Sequence, residues 1–449
     1  MMSLAQAVSA LQGRASGADV RFAGVSSDTR SVQRGELFVA LRGERFDGHG
    51  FLAEAAGRGA AAAIVDRNYH GPYPLPVIIV DDTRRALGDL ARHWRKRFSP
   101  SLIAITGSNG KTTVKEMLAA ILRRHAGDDA VLATTGNLNN DIGVPLTLLR
   151  LRAAHRWCAI ELGMNHKGEI GVLAGIAAPT VALVNNAQRE HLEFMSSVDE
   201  VAAENATVYD SLPADGTAVV NADDAHVAVF RSRAGTRRVI DFGIGAGSVT
   251  GTYRLGQLSS EVRIRTPDGD AEATLSIPGL HNVRNALAAC ACAFAAGIGV
   301  RIAAQGLTAF VPYAGRLQVK RTPAGATVID DSYNANPDSV RAAIDVLASC
   351  TAPTVLVLGD MGEVGEQGSQ FHREIGAYAR SKGISALLAL GEATRDSVAA
   401  FGAGARHFDN VDALVAAAQG SSFLVKGSRF MKMERIVAAL TGTPAHGAH

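Results

Sequence analysis

The sequence has few cysteines and almost no net charge. Its four cysteines, Cys158, Cys290, Cys292 and Cys350, contain no CxxC spacing, so we expect buried, reduced thiols. The 45 basic and 43 acidic residues leave a formal charge of +2, which gives no broad field to attract nucleic acid or an anionic membrane. We therefore expect no nucleic-acid partner.

A long hydrophobic run is also missing. The longest uncharged stretch, 171–188, is interrupted by Pro179 and ends in polar residues, so it does not predict a membrane span. The first thirteen residues have no basic side chain and no continuous apolar core, which is not the layout of a signal peptide. We expect a cytoplasmic protein without membrane insertion.

The chain has 449 residues, a length typical of about three domains. Its 47% hydrophobic and 20% charged residues are typical of a folded chain. Short apolar runs separated by helical patterns predict α/β structure throughout. The runs lie at 37–41, 61–65, 77–80, 102–106, 157–161, 181–184, 326–329, 354–358, 386–390 and 423–425.

These runs predict an α/β fold with three domains: a small N-terminal α/β domain over 1–83, a central domain over 84–313 and a Rossmann-like C-terminal domain over 314–449. The central runs are continuous, as in a doubly wound parallel sheet whose strands are buried on both faces. Alternation between 250 and 277, with a Pro-Asp-Gly turn at 267–269, predicts an appended antiparallel hairpin. Residues 443–449 should fray.

A helix is predicted between the first two domains. Thr83 is a plausible cap at its start. Its basic end should face water and complement the helix dipole, and a phosphate contact is the alternative. The basic residues are Arg92, Arg95, Lys96 and Arg97.

The strongest motif is a glycine-rich loop between an apolar strand and a helical pattern. Its backbone N–H groups and the helix N-terminus suit a phosphate, Lys111 can reach the terminal phosphates, and Thr112 can ligate Mg²⁺. The loop is shorter than the common GxxxxGK[ST] form, but an ordinary glycine turn needs no Lys-Thr pair. The motif comprises Gly107, Ser108, Asn109, Gly110, Lys111, Thr112 and Thr113.

Two further side chains follow neighbouring strands. Glu161 ends one strand and His191 follows the next, so both are placed at the sheet edge where ligands of such folds bind. We interpret them as metal ligands, with solvated loop residues as the alternative. The Asn-rich run 134–141 suits either a polar ligand or an ordinary turn.

Several separated strings together resemble the Mur ligases, in order along nearly the whole chain. The strings are SSDTRSVQRGELFVALRGERFDGHGF, GSNGKTT, GNLNNDIGVPLTLL, ELGMNHKGEI, GLHNVRNALAA, DDSYNANPDS, LGDMGEVG and LVKGSR. The resemblance is greatest to members that add D-alanyl-D-alanine to UDP-N-acetylmuramoyl-tripeptide. It implies a monomeric, three-domain, ATP- and Mg²⁺-dependent ligase of peptidoglycan precursor synthesis that proceeds through an acyl phosphate.

The resemblance also implies residue roles. Lys111, Glu161, His191 and Arg316 match catalytic positions, and Thr112, Glu161 and His191 match metal ligands. Further ATP contacts match Asn282 and Asn285 on the adenine side, Arg316 at a phosphate and Asp331 at the ribose. Substrate contacts match Ser27, Asp28 and Arg30 at the uridine end, Asn137 and Asn140 near the muramoyl diphosphate, and Asn334, Asn336, Lys426 and Arg429.

The less distinctive of these positions also have purely structural explanations. Asn282 and Asn285 could cap a helix. Arg316 could be a surface residue of a linker, and Asp331 with Asn334 could build a turn. Lys426 and Arg429 could be a solvated strand end.

One position departs from the family pattern. Asn205 stands where many members carry a carbamylated lysine that helps to hold a second Mg²⁺, and Thr207 stands where they carry Glu. Because an amide cannot be carbamylated, either its oxygen or a water replaces the lysine, or the second metal is held more weakly. Glu204 is a neighbour that could compensate, although it points about one hundred degrees away around the helix.

The alternatives within and outside the family are a ligase that adds the third amino acid and a nucleotide-binding regulator without catalysis. The first usually carries a DNPR-type string, which is absent here. Folylpolyglutamate synthases share the central fold but do not explain the N-terminal strings. The regulator interpretation is opposed by the combination of Lys111, Glu161, His191 and Arg316, because a protein that only binds nucleotide does not need these four residues.

Overall fold

The computed structural model describes residues 1–43 and 46–444, and over these ranges the chain forms four β-sheets. Most of the C-terminal end predicted to fray, 445–449, lies outside the described residues. No helix among the described residues is both long and apolar enough to cross a bilayer.

The N-terminal region contains a two-stranded pair, β1–β3, and a five-stranded sheet in the order β2-β7-β6-β5-β4. Strands β4 to β7 are parallel, and β2 is antiparallel to β7. The apolar runs at 37–41, 61–65 and 77–80 become β5, β6 and β7. The elements are β1 (Met2–Ser3), α1 (Leu4–Leu11), β2 (Arg14–Ser16), β3 (Arg21–Phe22), β4 (Val25–Ser26), β5 (Leu37–Val39), α2 (Leu52–Gly57), β6 (Ala62–Asp66) and β7 (Val77–Val80).

Helix α3 (Thr83–Arg95) follows β7, as predicted, but its cap is a different residue. The side chain of Asp82 accepts hydrogen bonds from the N–H groups of Arg84 and Arg85. Thr83 instead donates its hydroxyl to the carbonyl of Ala40 at 2.9 Å. The prediction of Thr83 as the cap was therefore wrong, because a distant carbonyl competes for its hydroxyl.

The central sheet has nine strands in the order β16-β15-β14-β13-β12-β11-β8-β10-β9. Strands β8 to β13 are parallel, and β14, β15 and β16 form an antiparallel extension with one strand more than the predicted hairpin. The strands are β8 (Ser101–Thr106), β9 (Val131–Ala133), β10 (Trp157–Glu161), β11 (Val181–Val184), β12 (Thr217–Asn221), β13 (Arg238–Gly243), β14 (Val249–Leu255), β15 (Ser260–Thr266) and β16 (Gly269–Leu275).

Strand β8 lies between β10 and β11, so the chain leaves it on one side and returns on the other. This is the switch point at which doubly wound sheets bind their ligands. The helices of this region are α4 (Lys111–Ala126), α5 (Gly143–Leu149), α6 (Glu169–Ala177), α7 (Val198–Ala206), α8 (Val227–Ala234), α9 (Leu280–Ala295) and α10 (Val300–Ala309).

Helix α4, which follows the glycine-rich loop, is packed closely from behind by α10. A Cβ built at Gly306 of α10 would lie 2.5 Å from the Cα of Ile121. Such an approach needs glycine, because any side chain would push the two helices apart.

The C-terminal sheet has six strands in the order β17-β18-β22-β19-β20-β21, parallel except for β17. Strands β17 and β21 were not predicted, because they are short and partly exposed and carry no continuous apolar run. The elements are β17 (Gln318–Arg321), β18 (Thr327–Asp331), α11 (Pro337–Ala348), β19 (Thr354–Gly359), α12 (Gly368–Ser381), β20 (Ala386–Leu390), α13 (Thr394–Phe401), β21 (Ala405–Phe408), α14 (Val411–Ala417), β22 (Ser422–Lys426) and α15 (Glu434–Thr441).

Two continuous apolar cores connect these sheets. One runs from one face of the central sheet into the C-terminal sheet, and the other joins the opposite face of the central sheet to the N-terminal region. The predicted α/β fold class is confirmed. The domain boundaries at 83/84 and 313/314 stay a prediction.

The basic end of α3 is only partly as expected. Arg92, Lys96 and Arg97 are exposed, but Arg95 is 6% exposed. Its guanidinium donates to the carbonyls of Ala177 and Ala178 at 3.0 and 3.1 Å, at the C-terminal end of α6, and to Phe98 O at 2.7 Å. The expectation that Arg95 faces water was wrong, since it satisfies carbonyls that α6 leaves unpaired.

We expect Arg95→Met to destabilise the fold by about 2 kcal/mol, because buried carbonyls lose their donors. Arg92→Met, on the same helix but exposed, should leave stability unchanged within about 0.5 kcal/mol. Urea unfolding followed by the fluorescence of Trp94, which lies beside Arg95, measures both variants. Equal transition midpoints would contradict the assigned role.

Candidate active site

A cavity of about 1240 Å³ opens at the carboxyl ends of the central strands and is closed on one side by the C-terminal region. It brings together most of the residues that the sequence singled out. Those lining it are Ser108, Asn109, Gly110, Lys111, Thr112, Thr113, Asn137, Asn140, Glu161, His191, Asn282, Asn285, Arg316, Asp331, Asn334, Asn336, Lys426 and Arg429.

The predicted uridine-end residues lie elsewhere. Ser27, Asp28 and Arg30 do not line this cavity and belong to the turn after β4. The side chain of Arg30 is 86% exposed and pairs with Asp28 at 2.6 Å, and this hydrogen bond holds the pKa of Asp28 below its usual value. Their role at the uridine end stays a prediction.

The glycine-rich loop gives α4 an N-terminus that opens on the cavity. Gly107 and Gly110 have φ values of 130° and 84°, which favour glycine. At Gly107 a Cβ would also lie 2.9 Å from the backbone N of Asn186. A helix start with unpaired N–H groups at a cavity wall is suited to an anion.

The ammonium of Lys111 is held at this loop by three groups. It donates to the carbonyls of Gly107 and Ser108 at 2.5 and 3.0 Å and lies 3.3 Å from both carboxylate oxygens of Glu190. Burial raises the pKa of Glu190, but the charge of Lys111 and contacts with His191 outweigh it and hold that pKa below its usual value. Glu190 was not predicted from the sequence, although its place beside His191 after β11 was a usable signal.

Glu161 is 1% exposed at the end of β10. Its Oε1 accepts hydrogen bonds from Thr112 Oγ1 at 3.2 Å and from Asn139 Nδ2 at 2.8 Å. Its Oε2 is buried and has no hydrogen-bond partner within the described ranges. A buried, unpaired carboxylate oxygen beside a threonine hydroxyl fits Mg²⁺, which proteins typically hold by one or two such oxygens together with substrate phosphates.

His191 is held by two carboxylates from different parts of the chain. Its Nδ1 lies 2.6 Å from Oε2 of Glu363, and its Nε2 lies 3.5 Å from Oε1 of Glu190. Burial lowers the pKa of His191, but the neighbouring carboxylates of Glu190 and Glu363 outweigh it and raise the pKa to about 9. A metal ligand must be neutral imidazole, whereas the two neighbouring carboxylates favour the protonated ring. Its role as a metal ligand stays a prediction.

No three His, Cys, Asp or Glu side chains are grouped as a metal site in the parts of the chain that the structure describes.

Asparagines connect the loop to α9 and to the C-terminal region. Asn185 Nδ2 donates to Asn109 O at 2.8 Å and to Asn285 Oδ1 at 3.0 Å, and Asn336 Nδ2 donates to Asn109 Oδ1 at 2.9 Å. Asn285 Nδ2 donates to Asn282 Oδ1 at 3.0 Å. The N-cap of α9 is Gly279, so the alternative that Asn282 and Asn285 cap this helix was wrong.

Charged residues of the C-terminal region face the loop across the cavity. Lys426 is 3% exposed and pairs with Asp331, so it is not a solvated strand end. Burial lowers the pKa of Lys426, opposed by the charge of Asp331. The Arg316 guanidinium lies 4.1 Å from the ring centre of Tyr333, a cation–π contact.

Asn205 does not reach the cavity. It is completely buried, and its Oδ1 accepts from Thr106 Oγ1 at 2.7 Å while its Nδ2 donates to Val201 O at 3.0 Å. Glu204 accepts from the N–H of Ile170 at the start of α6 at 3.0 Å, so it does not compensate at the cavity wall.

Family models match three consecutive parts of the chain. The Mur ligase family catalytic domain matches residues 21–95, the Mur ligase middle domain matches 105–293, and the Mur ligase glutamate ligase domain matches 315–429. The chain belongs to the Mur ligase family. The resemblance carried by the sequence strings is thereby confirmed.

Curated relatives and solved structures agree with this assignment. The UDP-N-acetylmuramoyl-tripeptide–D-alanyl-D-alanine ligases of Escherichia coli K12 and Haemophilus influenzae Rd are 40% and 39% identical to this Mur ligase, covering 98% and 93% of each chain. A crystal structure of MurF from Acinetobacter baumannii is 34% identical with a TM-score of 0.91, covering 98% of both chains. MurF from Thermotoga maritima in complex with ADP is 25% identical with a TM-score of 0.81, covering 93% of this chain and 97% of that one.

We expect His191 to titrate near pH 9 in metal-free protein, against an ordinary pKa of 6.5. Because the folded pKa is raised, the stability that protonation contributes is complete below pH 6.5 and is lost as the pH rises through about 9. NMR of ¹⁵N-labelled histidine rings measures the midpoint. Glu363→Gln should lower it, and a wild-type midpoint at or below 6.5 would contradict the two-carboxylate arrangement.

Proposed function

We propose that this Mur ligase joins D-alanyl-D-alanine to UDP-N-acetylmuramoyl-tripeptide with conversion of ATP to ADP and phosphate. The observation that supports this most directly is the single cavity in which the phosphate loop, Glu161 and the C-terminal residues Asp331 and Lys426 face one another. The proposed substrates are those in the names of the relatives described above, which are similar over nearly the full chain. The monomeric state and the cytoplasmic location stay predictions.

The reaction needs activation because a carboxylate is a poor electrophile. In the first step, the terminal carboxylate of the tripeptide attacks the γ-phosphorus of ATP, and the bond to the bridging oxygen of ADP breaks. In the second step, the amine of the dipeptide attacks the acyl phosphate carbon, forms the amide and expels phosphate. Both steps require close placement of anionic groups that repel each other in water.

The residues that line the cavity supply that placement. The N-terminus of α4 and the ammonium of Lys111 bind phosphate oxygens, and Arg316 and Lys426 add positive charge from the opposite wall. Thr112 and Glu161 would hold Mg²⁺, which offsets charge on the phosphate oxygens when bound. The asparagine network around Asn109 fixes the loop against the C-terminal region, so that the two walls keep their spacing.

A phosphate-release assay tests the proposal. With the wild-type chain we expect release from ATP only when both UDP-N-acetylmuramoyl-tripeptide and D-alanyl-D-alanine are present, and not when single amino acids replace the dipeptide. Lys111→Ala should lower kcat/KM about 100-fold or more, because a charge at the transferring phosphate is lost. Lys96→Ala, an exposed lysine outside the cavity, is the matched control.

Two results would contradict the proposal. Release with the tripeptide and a single amino acid in place of the dipeptide would indicate a ligase for a different step. ATP binding without release under any combination would indicate a nucleotide-binding regulator.

Asn205 gives a second expectation. Since a buried amide stands where a carbamylated lysine is found in many members, turnover should be the same in CO₂-depleted buffer and in buffer with added bicarbonate. Asn205→Asp, which keeps the shape but buries a charge beside Thr106, should lower the thermal midpoint instead. A bicarbonate requirement of the wild-type chain would show that another lysine is modified.

A further inference from the structure

The loop after β11, residues 185–195, lies between the central and C-terminal regions and is attached to both. On the central side, Asn185 and Asn186 donate to the carbonyl of Asn109 at 2.8 and 2.9 Å. On the C-terminal side, Arg189 makes a forked contact with Asp338, the shortest distance being 2.6 Å, and reaches Glu374 at 2.8 Å. The loop is therefore anchored to both regions.

A further contact joins His191 of the loop after β11 to Glu363 of the segment after β19. Both residues have left-handed backbone conformations, with φ values of 54° and 58°. Neither is glycine, so each conformation costs free energy that the surroundings must offset. The N–H of Glu193 donates to the carbonyl of Glu363 at 3.4 Å, and a Cβ at Gly365 would lie 3.2 Å from Leu192 O, so the two segments fit closely.

From Glu363 a line of ionisable side chains in contact with one another runs to the phosphate loop. Glu363 contacts Nδ1 of His191, Nε2 of His191 faces Glu190, and Glu190 lies 3.3 Å from the ammonium of Lys111. The side chains of Lys111, Glu190 and His191 are 15%, 10% and 10% exposed, so they interact through protein more than through water. Glu363 is 46% exposed and is the member that the C-terminal region contributes.

We propose that Glu363 is a positioning residue: by fixing the His191 ring from the C-terminal region, it sets Glu190 and the Lys111 ammonium for the nucleotide phosphates. The inference deepens the proposed function and rests on it for the presence of those phosphates. It means that the phosphate end of the site is complete only while the C-terminal region is docked. In this role Glu363 acts on the phosphates through His191.

The first test measures binding of a non-hydrolysable ATP analogue with Mg²⁺ to the full-length chain by calorimetry. Glu363→Gln keeps the size of the side chain and removes its charge, and we expect binding about fivefold weaker. Glu366→Gln, an exposed residue three positions on, is the matched control and should bind like the wild type. In turnover, KM for ATP should rise more than kcat falls.

The second test asks whether Glu363 acts through His191. In a His191→Gln background, Glu363→Gln should change the affinity by less than about twofold, because the ring that it positions is gone. Glu363→Asp should restore part of the wild-type affinity. Thermal midpoints of the variants separate an effect on binding from a loss of folding.

The inference would be overturned by equal affinities of Glu363→Gln and Glu366→Gln, or by effects of Glu363→Gln and His191→Gln that simply add. The binding measurement uses no peptide substrate. A wild-type chain that lacks ligase turnover but shows the coupling would therefore remove the proposed function, whereas turnover without coupling would remove this inference alone.

Discussion

The arrangement of the cavity depends on the neutralisation of buried charge beside the glycine-rich loop. Lys111 and Glu190 are both largely buried, and a buried charge without a partner is far more costly than a paired one. Glu190 is placed by the loop after β11, and that loop is fixed through Arg189 to the C-terminal region. The lysine at the start of α4 is thus linked, through Glu190 and Arg189, to helices α11 and α12 of the C-terminal region.

The sequence predicted the parts of this structure that local patterns determine. Strands β10 and β11 were placed to the residue, because continuous apolar runs bounded by polar residues leave little choice of limits. The glycine-rich loop was found because its Lys-Thr pair has no use in an ordinary turn. Glu161 was found because it ends a buried strand at the edge where such sheets bind ligands.

What the sequence did not predict depends on contacts between distant segments. The buried state of Arg95 is set by carbonyls about eighty positions away, and nothing in the basic run distinguishes it from Arg92. Glu363 meets His191 only because two loops from separate sheets dock. Asn205 was aligned with a site residue, and only the fold shows that its amide is used by Thr106 inside the protein.

The close contact between Gly306 of α10 and α4, the helix that follows the glycine-rich loop, limits how the enzyme can move. Gly306 lets α10 lie directly against α4 near Ile121. Helix α4 carries Lys111 at its N-terminal end. Because the backbone of α10 packs directly against α4, α4 has no room to move away when anionic groups bind at its N-terminus. Helix α4 is therefore a fixed wall of the cavity, and any change of shape during turnover has to come from the parts that face it.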